Sequence, residues 1–219
     1  MKKQLFFLTL ATLVLLSGCQ FNTNSSSSPS PSPNTTTTAQ VEVTPTPSPT
    51  VSPIEQRSDA DFRNAKWGDS IETTHKYEVE IDLQESDDQL SGTATVGGYD
   101  AYVGFMFDDG LLYKGIYAFP LDYTNAGQYI PVYNTLKDML TKIYGTPLQD
   151  TIIPLETQDL IDMAGESKAL EYGYVVYRAM WQTSTTDIMI GMMAQDYDVN
   201  LLITYTDKNY EENINNSGL

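Results

Sequence analysis

The chain has 219 residues, 29 acidic side chains against 12 basic ones, a formal net charge of −17, one cysteine and one histidine. So acidic a surface gains no counterion release from nucleic acid, and no Lys/Arg cluster makes a local exception, which removes nucleic acid from the expected partners. One cysteine rules out an intrachain disulfide, and one histidine leaves no general-base triad, histidine relay or ordinary zinc site, so neither a metal nor a cofactor is expected.

The chain opens with Lys2 and Lys3, an apolar run from Leu5 to Leu16, and then Leu16-Ser17-Gly18-Cys19. A positive start, a short apolar stretch and small residues before the cut predict a signal peptide over residues 1–18, too short to span a bilayer permanently. The motif resembles the bacterial lipobox, which implies a diacylglycerol on the Cys19 sulfur and cleavage that leaves Cys19 at the mature N-terminus. Two acyl chains predict firm anchoring to the extracytoplasmic face of the cell membrane. Loss of Lys2 and Lys3 leaves 10 basic side chains against 29 acidic ones, a net charge of −19. Repulsion from anionic headgroups then holds the rest of the chain off the membrane that its lipid enters.

From Cys19 to Pro53 the sequence is dominated by Ser, Thr, Pro and Asn, with Glu42 its only charge. Such a segment cannot bury enough apolar surface to offset its ordering entropy and reads as a disordered stalk. Its Pro alternation favours polyproline II, which gives the stalk a reach on the order of 100 Å when fully extended. A single folded domain is expected over 54–207, followed by a frayed polar tail over 208–219.

Within that domain, Ser70 is placed to cap a short helix over Ile71 to Tyr77. Strands follow over Leu90 to Val96, Tyr99 to Phe107 and Leu111 to Phe119, separated by the turn signals Gly97-Gly98 and Asp108-Asp109-Gly110. The period then changes from two to 3.6. Tyr129, Val132, Tyr133, Leu136, Met139, Leu140 and Ile143 share one helical stripe, with Gly145 and Pro147 as stop signals. Leu148 to Gly173 has weak periodicity and reads as a connection with one helical turn near Leu155 to Ala164. Three more strands are expected over Tyr174 to Gln182, Asp187 to Ala194 and Asp198 to Thr206. The prediction is an α+β domain with an antiparallel sheet of about six strands, in two halves of one helix and a three-strand meander, packed by one long helix. Duplication and chance recurrence both account for the shared order.

The runs Phe62-Arg63-Asn64-Ala65-Lys66-Trp67-Gly68 and Tyr99 to Phe105, then Tyr144-Gly145-Thr146-Pro147 and Trp181-Gln182-Thr183, resemble an uncharacterised surface lipoprotein family of Gram-positive Firmicutes. More distantly, the element order is similar to the helix-plus-meander folds of outer-membrane assembly lipoproteins and β-lactamase inhibitor proteins. These resemblances imply a binding or scaffolding module and supply no catalytic residue.

The chemistry-bearing constellations are sparse. Asp196-x-Asp198-x-Asn200 looks like the start of a calcium loop, but Leu201 stands where an EF-hand needs glycine, and a hairpin turn explains it better. His75, in a polar stretch, is expected to be solvated. Trp67 and Trp181 are expected to anchor the core. Among the tyrosines, Tyr113 and Tyr117 are expected on one strand face and Tyr172 and Tyr174 on another, as candidate surface aromatics for a sugar or peptide; half-buried strand tyrosine is the plainer account. The function expected from the sequence is non-catalytic recognition of a protein or cell-envelope component, with a glycosidase-type envelope hydrolase using paired carboxylates as the alternative.

Overall fold

The computed structural model describes residues 57–210. Cys19, the signal peptide and the predicted stalk lie outside the described residues. Helix α1 spans Ile71–Tyr77, and Ser70 caps it by accepting a hydrogen bond from Thr73 N. Strands β1 (Gln84–Ser86), β2 (Gln89–Val96), β3 (Tyr99–Asp108) and β4 (Leu111–Ala118) come next. A 3-10 turn at Ala126–Gln128 leads into the long helix α2, Tyr129–Tyr144. Then come β5 (Gln149–Pro154), α3 (Gln158–Glu171), β6 (Val175–Gln182), β7 (Thr186–Gln195) and β8 (Asp198–Asp207).

All eight strands join one antiparallel sheet in the order β1-β2-β3-β4-β8-β7-β6-β5. The expected antiparallel α+β fold is therefore present, but with eight strands rather than six. The two unforeseen strands are the outermost ones. Every residue of β1 is exposed, and β5 is exposed apart from a half-buried Ile153, so neither shows the alternation that marks a half-buried strand. The expected single helical turn near Leu155 to Ala164 is instead the 14-residue α3. Gly165, at φ 72° and ψ 164°, breaks it, and only Ala169 and Leu170 are buried, which explains its faint period.

Two-residue turns set the register. Asp109 and Gly110, Gly97 and Gly98, and Asp196 and Tyr197 all adopt positive φ. That is the geometry a type I′ hairpin needs to match strand twist. The Asp196-Asp198-Asn200 run is thus the β7–β8 turn, closed by the pair Gln195 and Asp198.

One face of the sheet carries the core. Leu90, Val103, Phe105, Tyr117, Tyr177, Trp181, Ile190 and Ile203 are buried there, under Tyr133, Leu136 and Leu140 of α2 and Ala169 and Leu170 of α3. The run 62–68 closes the same face. Phe62 packs on Phe105, Tyr117 and Tyr205 at centroid separations of 5.0–5.2 Å. A Cβ on Gly115 would lie 2.2 Å from the Phe62 ring, so glycine is what lets this plug seat. Arg63, itself at φ 55°, reaches Glu78 across 3.0 Å, and Asn64 N donates to the same carboxylate. Trp67 Nε1 donates to Thr186 Oγ1, and Trp181 Nε1 to Gly145 O. Trp181 is buried in the core and Trp67 packs half-buried against it, as expected, so the runs 62–68, Tyr144 to Pro147 and Trp181 to Thr183 are architectural here. His75 is exposed on α1.

The start of the expected frayed tail is not frayed. Lys208 donates through N to Thr185 O and through Nζ to Thr183 O, and Tyr210 stacks on Tyr113 at 4.0 Å.

Candidate functional site: the open face of the sheet

Strand parity decides what the second face presents, because alternate side chains leave a strand on opposite sides. Opposite the core, register aligns Gln149, Met180, Met189, Thr204, Ile116, Gly104 and Ser91 in one row across the sheet. The neighbouring row runs Thr151, Arg178, Gly191, Leu202, Ala118, Tyr102 and Thr93. Met106 and Met193 lie in the flanking rows. None of these apolar side chains belongs to the core cluster, and every described helix packs on the other face.

The centre of this open face is apolar and small. Met106, Met180, Met189, Met193, Val176 and Leu202 are half-buried, and Ile116 and Thr204 form a floor only 8% and 7% exposed. Charge is thin in its middle: Arg178, Lys114 and Asp187 are its interior ionic groups. Arg178 donates through Nη2 to Gln149 Oε1 at 3.2 Å. Arg178 Nε and Asp187 Oδ1 are buried without a hydrogen-bond partner, each costing about 1–3 kcal/mol while unsatisfied.

At the β2–β3 flank the face deepens into an open groove of about 500 Å³, lined by Thr93, Ala94, Thr95, Asp100, Ala101, Tyr102 and Pro120. Thr93 pairs with Tyr102 and Thr95 with Asp100, so these four side chains are neighbours on the open face. Tyr102 is 55% exposed, the largest exposed apolar surface on β3. The Asp100 carboxylate makes no hydrogen bond or ion pair among the described residues.

The expected surface aromatics divide. Tyr117 is corrected: it is buried between Phe62 and Tyr205, with Arg63 Nη1 donating to its hydroxyl at 3.4 Å. Burial pushes its hydroxyl above the ordinary tyrosine range. The expected shared face with Tyr113 does not hold either. A β-bulge shifts register between Met106 and Phe107, making Tyr113 the extra residue in β4 and breaking period two there. Tyr113 is half-buried and stacked on Tyr210, whose hydroxyl is pushed up to about 12 by burial, then by Tyr113 and Asp108.

Tyr172 and Tyr174 do meet, at 5.5 Å, and Tyr172 also meets Tyr197 at 6.1 Å, forming a rim cluster. This cluster and Tyr113 occupy opposite ends of the sheet. Tyr102 and the methionines were not singled out by sequence reasoning. The available signal was apolar residues at both parities of β3 and β7, such as Ile188, Ile190 and Met192 alternating with Met189, Gly191 and Met193.

Among the described residues no helix is long and apolar enough to cross a membrane, and no group of three His, Cys, Asp or Glu side chains is placed to hold a metal ion. No family model matches the chain, and no curated protein or solved structure matches it.

Proposed function

We propose that the chain is a membrane-anchored extracytoplasmic lipoprotein, held through diacylglycerol on Cys19 and a Ser/Thr/Pro stalk. Its folded domain is a non-catalytic docking module for a protein whose contact patch is apolar and ringed by basic side chains. The observation that carries this reading is an eight-stranded sheet with one face buried by its own helices and the other apolar and, among the described residues, uncovered. Flexible thioethers suit such a face, because they repack around a partner at low cost. Arg178 Nε and Asp187 Oδ1 are supplied with hydrogen-bond partners on docking, which turns a penalty in the free protein into specificity. The net charge of −19 that remains after loss of Lys2 and Lys3 steers a basic partner inward and opposes self-association of two such faces.

The hydrolase alternative draws no support from the groove. Its lining contains one carboxylate, Asp100, whereas glycoside cleavage uses two held across a cleft. The expected two halves of one helix and a three-strand meander are not matched: the first half has four strands after α1, and the second has α2, β5, α3 and then β6 to β8.

The test places a photoreactive amino acid at Met189 or Leu202, and as a control at Met163, an 85% exposed residue of α3, in full-length protein in intact cells. A discrete adduct from the two open-face positions, weakened by added salt and absent from the α3 position, is expected. Equal adducts from all three positions would overturn the docking face. Anchoring is tested separately: a Cys19→Ala chain is expected in the soluble fraction, and its recovery in membranes would sink the lipid assignment.

A further inference from the structure

We infer that the groove at the β2–β3 flank is an anchor site for an arginine guanidinium presented by the basic rim of the partner. The inference rests on the open face being a docking surface and goes beyond it by assigning a side-chain-specific subsite.

Asp100 and Tyr102 are two residues apart on one strand face, which sets them about 6.6 Å apart along β3. That spacing leaves room for a planar cation between a carboxylate and an aromatic ring. A guanidinium seated there stacks on Tyr102 and forks two N–H groups to Asp100, with the Thr93 and Thr95 hydroxyls as further acceptors. Pro120 closes the groove with an apolar wall. An ammonium offers neither the stacking plane nor the fork, so lysine is the poorer occupant. An anionic ligand would meet the Asp100 charge and the field of a processed chain carrying −19.

The location fits an anchor. Tyr102 abuts Ala118, which abuts Leu202, so the groove is continuous with the apolar centre. From Tyr102 to Arg178 the same row crosses four strand spacings, about 19 Å, the width of a protein contact patch. Anchors of this kind, arginine against an aromatic residue at the edge of a desolvated patch, carry a large share of binding energy.

The experiment uses the full chain in detergent micelles, with two-dimensional NMR as the readout. The probe is acetylated, amidated glycyl-arginyl-glycine. Its comparisons are the citrulline peptide, nearly isosteric but uncharged, the lysine peptide, and methyl N-acetylglucosaminide. The expected result is saturable shifts at residues 93, 95, 100 and 102 with the arginine peptide, and at least fivefold weaker binding of the citrulline and lysine peptides. Asp100→Asn is expected to lose at least fivefold, Tyr102→Ala likewise, and Tyr102→Phe to keep most of the binding. No shift at these residues, equal binding of the citrulline or lysine peptide, or saturation by the sugar alone would each overturn the assignment. Crosslinking from Met189 reports on the docking face without involving the groove, so failure of the anchor and failure of the face give different patterns.

Discussion

The two faces of the sheet are cut from the same strands yet built from different side chains. The covered face uses stiff residues at full burial: Val103, Phe105, Trp181, Ile190 and Ile203 are each 0–1% exposed. The open face uses Met106, Met180, Met189 and Met193, partly exposed, with Gly104 and Gly191 between them. Branched and aromatic side chains lose little freedom on packing and specify one arrangement. Unbranched thioethers do the reverse, and they belong where the surface must accept a shape it does not itself contain. The comparison teaches that apolar character at both strand parities is two separate signals, one for the face that the domain's own helices cover and one for the face that no described helix covers.

The contrast is sharpest at its largest predicted effect. Trp181→Ala removes a 1% exposed ring and its hydrogen bond to Gly145 O, and is expected to cost about 3–5 kcal/mol, read as a lower midpoint in denaturant unfolding. A loss under about 1 kcal/mol would mean that the helix-covered face is not the core.

Glu78→Ala strands Arg63, its partner beneath the Phe62 plug, and is expected to cost about 3 kcal/mol by the same measurement. Gly115→Ala drives a methyl into the Phe62 ring and should cost about 1–3 kcal/mol. Adding Phe62→Leu should recover part of that loss in a double-mutant cycle, and strict additivity would contradict the plug.

Alkali probes the same face. Burial raises the hydroxyls of Tyr117, Tyr133, Tyr177 and Tyr205 above their ordinary value. The folded state then holds protons that the unfolded state releases. This stability is complete below pH 10 and is lost as pH rises from 10 through the folded-state values. Denaturant midpoints should fall from pH 9 to pH 11.5, with tyrosinate absorbance rising cooperatively at unfolding. Independent titration of every tyrosine near pH 10 in folded protein would contradict their burial.

The smallest stability effect is expected on the open face. Met189→Ala should change unfolding free energy by less than about 1 kcal/mol while reducing the salt-sensitive adduct formed from Leu202. A loss as large as that of Trp181→Ala would erase the distinction between the faces.

Legibility followed burial. The six inner strands and α2 were readable because one-sided burial imposes a period, and the turn pairs Gly97-Gly98 and Asp109-Gly110 needed left-handed backbone that only certain residues tolerate. Edge strands β1 and β5 bury too little to impose one, and α3 has two buried residues and a break at Gly165. Ile143 fits the α2 stripe but is 62% exposed, because a period carries no information about where the opposing surface stops. The candidate site was less legible. Tyr113 and Tyr117 were paired by counting in twos, and a one-residue bulge defeats such counting.

By itself the sequence determined the local states: where strands turn, where α2 starts and stops, and that Trp67 and Trp181 face inward. Those depend on neighbours in the chain and on simple periodicity. Tertiary structure alone decided that β4 meets β8 at the centre of the sheet, that Phe62 seats on Gly115, that Tyr117 is core rather than surface, and that Asp100, Tyr102, Thr93 and Thr95 form one groove. Those depend on pairings between residues far apart in sequence, whose closure entropy is repaid only by the whole sheet forming together.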